Sequence, residues 1–147
     1  MILVLLPAYN EEASLPQLMP KLKKTLSAMN EEYRIIVCDD GSSDQTYAML
    51  EQYAQDMPVD IIHHKINRGL GESSRDLFER ASEIAVNGDV IVRLDCDDTH
   101  EPEFIPTIVA KCEAVSTLSQ PPVLPQEEAS LVSVHIEHSS VEALIFL

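Results

Sequence analysis

Four short apolar runs, each closed by a polar loop and followed by a helix-like stretch, constrain the fold of this chain more than any other feature. They are ILVLL (Ile2 to Leu6), YRIIVC (Tyr33 to Cys38), VDIIHH (Val59 to His64) and DVIVRLD (Asp89 to Asp95). Short runs of this kind suit strands with both faces covered, where no polar alternation is required. Between the first two, Leu15, Leu18, Met19, Leu22 and Leu26 recur at helical spacing and predict a helix from about Glu12 to Met29. Ser14 and Gln17 have capping-box spacing at its start, Pro16 is tolerable in a first turn, and Pro20 is expected to kink it. Further helices are expected from about Asp44 to Gln55, Glu72 to Val86 and Glu101 to Glu113, the last with Pro102 at a first helical position. Strand and helix alternating in this way imply an α/β domain, a mostly parallel sheet flanked by helices. Ligands of such sheets bind beyond the carboxyl ends of the strands.

That rule gathers the polar motifs. PAYNEE follows the first run, DDGSSDQT the second, KINRGLGE the third and DCDDTHEP the fourth. Four loops rich in charge, Gly, Asn and Ser therefore converge on one edge.

The chain has 147 residues, 45% hydrophobic but only 5% aromatic, enough for one domain whose core is aliphatic. Its formal net charge of −15 argues against nucleic acid and anionic membrane surfaces as partners. An anionic small ligand would have to bring a cation with it. Cys38, Cys96 and Cys112 are odd in number and set in apolar surroundings, which suits reduced thiols in a cytoplasmic protein. The run after Met1 stops at Pro7 and has no basic flank, so it fits a first strand rather than a signal peptide or a membrane span.

Asp95 and Asp97 stand two apart at a strand end, where alternation points both side chains the same way. Two such carboxylates repel each other unless a divalent cation lies between them and a phosphate; Mg²⁺ or Mn²⁺ suits the hard-oxygen donors. The plainer alternative is a solvated acidic turn capping the next helix. Asp39 and Asp40 can accept hydrogen bonds from a base N–H or a ribose hydroxyl, with Gly41 allowing a tight turn; equally, Ser42, Ser43 and Asp44 can form an ordinary helix cap. Tyr9 can stack on a base and Glu11 bind a ribose, or both can be loop residues. Lys65 and Arg68 place positive charge beside Gly69 and Gly71, without the G-K-[ST] of a Walker loop. His63 and His64 are adjacent, point to opposite faces of a strand and make a poor metal pair, so they are expected to be structural.

Taken in order, ILVLLPAYNEEASLPQL, RIIVCDDGSSDQT, NRGLGES and VIVRLDCDDTHEPEFI resemble the family 2 glycosyltransferases of the Rossmann-like GT-A nucleotide-diphospho-sugar transferase fold, and within them the dolichyl- and polyprenyl-phosphate sugar synthase branch. The resemblance implies an inverting sugar transferase that takes a nucleotide-diphosphate sugar and passes the sugar to a polyprenyl or dolichyl phosphate or another acceptor. It implies that Pro7, Tyr9 and Glu11 frame the nucleoside, that Asp40 contacts the base or ribose with Asp39 supporting its loop, and that Arg68 and Gly71 line the donor pocket. Asp95 and Asp97 match the Asp-x-Asp site for Mg²⁺ or Mn²⁺ and diphosphate. Thr99 stands where that branch often has Gln, and Ser73, Ser74 and Arg75 stand where small apolar residues are usual. Full-length relatives of this kind are expected at the membrane periphery.

The resemblance ends near Glu113. Residues 114–147 contain no Gly, Lys or Arg, and Pro121, Pro122 and Pro125 interrupt them. Codons built from the third base of one residue and the first two of the next, starting at Ala114, permit the string GVDVVAASRFAPGGG, which resembles what the family has next. The expected organisation is therefore a donor-binding part over 1–113 and a divergent tail over 114–147, derived from a frameshift on a truncated enzyme. The alternative is a natural short variant whose tail adds one edge strand. Loss of the acceptor half would make turnover by this chain doubtful and bare an apolar sheet surface that favours self-association. Two other readings stay open: a non-catalytic nucleotide-binding module, and a haloacid-dehalogenase-type phosphatase with Asp95 as nucleophile. The second lacks its downstream motifs, since the chain after Thr99 holds a single Lys and no Asp.

Overall fold

The first apolar run forms β1 (Ile2–Ala8), buried along its whole length because it is an inner strand. β2 (Tyr33–Asp39) and β4 (Val90–Arg93) pair with it in parallel on either side, and β3 (Val59–His63) pairs in parallel with β2. Each strand of the first three is followed by a helix: α1 (Leu15–Ala28), α2 (Thr46–Asp56) and α3 (Leu70–Ile84). After β4, a 3-10 turn (Pro102–Phe104) leads into α4 (Ile105–Ser116). Two more strands lie beyond β4: β6 (Ala143–Phe146), parallel to it, and β5 (Ser133–His135), antiparallel to β6. The sheet order is β3-β2-β1-β4-β6-β5. This computed structural model describes residues 1–86, 88–96, 101–116, 133–135 and 143–146, with the backbone alone at 113–116, 133–135 and 143–146.

Alternation along β1 divides the core into two layers. Ile2, Val4, Leu6 and Ala8 face α1, α2 and α4, where Leu15, Leu18, Met19, Leu22, Leu26, Leu50, Ile105 and Ile108 are buried. Leu3 and Leu5 face the other way, with Ile36, Cys38 and Ile91, against Leu77 and Ala81 of α3. The five apolar positions expected to form one face of α1 are its five buried residues. Among the described residues no helix is long and apolar enough to cross a membrane.

Several local expectations need correction. The capping box does not form: Ser14 donates its hydroxyl to Glu11 Oε2 at 2.7 Å and makes no cap bond to the α1 backbone. Ser14 is itself helical, with φ −87° and ψ −37°, and its backbone carbonyl takes the Gln17 N–H at 3.0 Å that a capping hydroxyl would have accepted. Pro16 does sit in the first turn of α1, and Pro20 lies inside the helix without ending it, on the exposed side, where solvent can meet the carbonyl it leaves unbonded. Pro102 begins the 3-10 turn rather than α4 itself. α4 ends at Ser116, three residues beyond the end expected for it near Glu113. β1 extends two residues into the motif PAYNEE, through Pro7 to Ala8, and β2 extends one residue into DDGSSDQT, to Asp39.

Pro7 has a positional meaning here. Ile2 and Ala8 bond toward β2, through Ile2 N–H to Glu32 O at 2.8 Å and Asp40 N–H to Ala8 O at 2.8 Å, so the odd residues of β1 face β4. The last bond on that side is Leu94 N–H to Leu5 O, at 3.0 Å. Pro7, next in line, has no N–H to offer, and the ladder between β1 and β4 ends. The two strands are thus free to part where the sheet order reverses direction.

Candidate functional site

In an open α/β sheet the ligand crevice lies beyond the carboxyl ends of the strands, at the point where the strand order reverses. That place here is the carboxyl end of β1 between β2 and β4, and a cleft of about 400 Å³ lies there. Pro7, Ala8, Tyr9 and Glu11 come to it from the first loop, Asp40 from the second, Asn67, Gly69, Leu70 and Ser73 from the third loop and the start of α3, and Asp95 and Cys96 from the end of β4.

The first two loops lock together through paired hydrogen bonds. Asn10 N–H donates to Ser42 Oγ at 2.9 Å and Asn10 Oδ1 accepts from Ser43 N–H at 2.9 Å. Glu12 and the next helix start exchange bonds likewise, Glu12 N–H to Asp44 Oδ2 at 3.2 Å and Gln45 N–H to Glu12 Oε2 at 3.0 Å. Glu11 N–H donates to Thr46 Oγ1 at 2.8 Å. Asn10 adopts φ 55°, a left-handed conformation that Asn tolerates better than most residues. Half-exposed Tyr9 is thereby carried on a braced loop, its side chain 46% accessible at the cleft wall.

The second loop is pinned to the third by close contact. Gly41 has φ +69°, and a Cβ there would lie 2.5 Å from the Ile66 carbonyl carbon and 2.7 Å from Asn67 N. Only glycine fits both the backbone angle and the approach.

Asp39 and Asp40, consecutive at the end of β2, turn to opposite faces and each meets one of the two histidines of the neighbouring strand. Asp39 is fully buried; its carboxylate lies 2.8 Å from His63 Nδ1 and accepts from Ser42 N–H at 3.3 Å, outside the cleft lining. Asp40 Oδ1 lies 2.6 Å from His64 Nδ1, and the carboxylate also accepts the backbone N–H groups of Arg68 at 2.9 Å and Gly69 at 2.8 Å. Burial alone would raise the Asp40 carboxyl, but the His64 ring and those two N–H groups outweigh it and hold it below the ordinary carboxylate range. His64 Nε2 lies 2.9 Å from Asp76 Oδ2 on α3, and the ring beside Asp76 lowers that carboxyl too. Cys38 Sγ is 3.6 Å from the same ring nitrogen, and burial pushes its thiol up to about 11. The histidines are structural in the sense that they hold carboxylates. A parallel register pairing Asp39 with His63, read as DD opposite HH, is the sequence signal that would have revealed both pairs.

Of the residues singled out from sequence, Pro7, Tyr9, Glu11, Asp40 and Asp95 line the cleft. Arg68 does not: its side chain, 44% exposed, turns to Asp76 at 3.1 Å and Glu72 at 4.0 Å, and only its backbone N–H reaches the site, through Asp40. Gly71 is exposed in the first turn of α3, with open space where a Cβ would stand, and is absent from the lining. Asp95 is 36% exposed in the cleft while Arg93 donates to its Oδ1 at 2.7 Å. Asp97 and Thr99 lie outside the described residues. Gly69, one of the two glycines beside Arg68, reaches the cleft with Asn67 from the third loop, while Leu70 and Ser73 escaped the sequence reading because α3 begins two residues earlier than periodicity suggested, which carries its first turn to the cleft.

The family model for glycosyl transferase family 2 matches residues 3–128. The chain belongs to that family. Two curated relatives named undecaprenyl-phosphate 4-deoxy-4-formamido-L-arabinose transferase are similar to it: one from Proteus mirabilis, 39% identical over 112 residues, and one from an Enterobacter species, 36% identical over 110. Each alignment covers 75% of this chain but 33% of the relative, so the chain spans about a third of their length. Among solved structures, S. aureus TarS 1-349 in complex with UDP-GlcNAc superposes with a TM-score of 0.65 at 20% identity, over 89% of this chain and 38% of that one. S. aureus TarS itself gives 0.63 at 21% identity, over 85% and 23%. Likeness at that identity shows the fold, the Rossmann-like GT-A arrangement of this family 2 chain.

Proposed function

We propose that this family 2 chain carries the donor-binding half of an inverting glycosyltransferase that takes a nucleotide-diphosphate sugar. The observation that carries it is the convergence of Tyr9, Asp40 and Asp95, from three different loops, on one cleft at the reversal point of the sheet. Tyr9 offers a ring face and Asp40 a buried acceptor, the two features a nucleobase needs. Pro7 and Glu11 close the same wall, and Asp39 holds the loop that presents Asp40. The acceptor in this reading is a polyprenyl phosphate, the class that the names of the curated relatives carry. Such an acceptor arrives ionised and needs no general base to attack the anomeric carbon.

A divalent cation fits the far end of the cleft. Asp95 brings a hard carboxylate to the cleft wall, where Arg93 donates to its Oδ1 at 2.7 Å and holds it in place. Mg²⁺ or Mn²⁺ needs only one or two protein carboxylates and completes its shell with diphosphate and water. Asp95 and Asp97 would hold the ion, which supplies Lewis-acid neutralisation of the leaving diphosphate. Arg93 steadies Asp95 so that one of its oxygens stays directed by a fixed partner.

Calorimetric titration of the chain with UDP- and GDP-sugars, with and without Mn²⁺, tests the proposal. Metal-dependent binding that Asp97→Ala abolishes is the expected result. A folded sample that binds no nucleotide under either condition would falsify the donor site.

A further inference from the structure

Asp40 is 4% exposed, and most of its hydrogen-bonding capacity is already spent inside the protein. Oδ1 meets His64 Nδ1 at 2.6 Å and the Arg68 N–H at 2.9 Å, while Oδ2 accepts the Gly69 N–H at 2.8 Å. A carboxylate offers about four lone-pair positions. One acceptor position is therefore left for a ligand, on Oδ2. His64 is what leaves a single position: without the ring, each carboxylate oxygen would accept one backbone N–H and keep a second acceptor position open. The ring is itself fixed. It is buried, its Nε2 lies 2.9 Å from Asp76 Oδ2, and Arg68 and Arg75 hold Asp76 in turn at 3.1 and 3.3 Å.

We propose that His64, anchored by Asp76, is a positioning residue that makes Asp40 present a single acceptor to the cleft and so selects a uracil-type base over guanine. The proposal rests on the donor-site reading above and deepens it by naming the base. A uracil edge carries one N–H between two carbonyls, matching one free acceptor. A guanine edge carries two adjacent donors that call for both oxygens of a carboxylate, and Oδ1 is filled. The second guanine donor would be desolvated without a partner, which discriminates strongly in buried sites. None of this requires His64 to touch the ligand.

The test is calorimetry of the whole chain with UDP, GDP and base-free inorganic pyrophosphate, each with Mn²⁺, on wild type and on Asp76→Ala, Asp76→Asn and His64→Phe. Asp76 is a partly exposed helix position, so its variants keep the question answerable should His64→Phe fail to fold. Wild type is expected to prefer UDP to GDP by about tenfold or more, the scale of one lost hydrogen bond to a charged group. Asp76→Ala is expected to weaken UDP and narrow that ratio while leaving pyrophosphate affinity unchanged. Asp76→Asn, which keeps an acceptor for the ring, should recover most of the preference. Equal or reversed UDP and GDP affinities in wild type, or a ratio unchanged in Asp76→Ala, would overturn the role of His64 and leave the donor site standing. Wild type that binds pyrophosphate but neither nucleotide sinks the donor-site reading itself.

Discussion

Gly41 shows how much can rest on a missing methyl group. Its φ of +69° and the 2.5 Å approach of the Ile66 carbonyl carbon leave no room for a side chain, so Gly41→Ala must push the second loop off the third. The expected loss of stability is on the order of 2–4 kcal/mol, read as a lowered thermal midpoint, together with weakened nucleotide binding; an unshifted midpoint would mean that the two loops are not in contact. Asp40 gives a pH prediction. Its folded pKa is depressed below 3.8, so the stabilisation it provides is present above that value and disappears as pH falls through the folded pKa. The Asp40 carboxyl carbon signal should keep its ionised position from neutral pH down to about 4 and titrate below it; a carboxyl titration midpoint above about 4 would contradict the bonds drawn to Asp40. Cys38, with its thiol pushed up to about 11 and its side chain buried, should resist alkylation in the native protein at neutral pH and react on unfolding. The acidic residues were legible from sequence because strand ends in this fold class point at ligands. The histidines' partners were not, since Asp40 and His64 are 24 residues apart and meet only through strand register.

At the scale of elements, four apolar runs found β1 to β4, and five periodic residues found the buried face of α1, because burial on a sheet leaves a pattern no loop imitates. Helix starts were harder. α3 begins at Leu70 and α2 at Thr46, positions decided by bonds between loops rather than by local propensity. The core should respond as a close-packed aliphatic layer: Leu22→Ala, at a site with no exposure, is expected to cost about 2–5 kcal/mol by chemical denaturation. Asn10→Ala should leave that core intact and instead loosen the bracing of Tyr9. The check is hydrogen exchange, which should quicken at Ser43 N–H and leave β1 unchanged.

For the whole molecule, the order β3-β2-β1-β4 is what makes one edge a site, since it brings three separate acidic loops around the end of a single buried strand. We retain as proposals the donor-binding part over 1–113 and the frameshift origin of the tail. The nucleotide sequence across the Glu113 codon decides the latter, with an uninterrupted alternative frame expected and an early stop against it. The claim on which the account turns is that the carboxylates after β4 hold a divalent ion against a nucleotide diphosphate in the cleft of Tyr9 and Asp40. Paramagnetic broadening by Mn²⁺ in amide NMR spectra, with and without UDP, measures that directly. The account predicts broadening that centres on Asp95 and Cys96, reaches the ends of β1 and β2 when UDP is present, and vanishes in Asp97→Ala. Broadening centred elsewhere on the acidic surface, or unchanged by UDP, would contradict it.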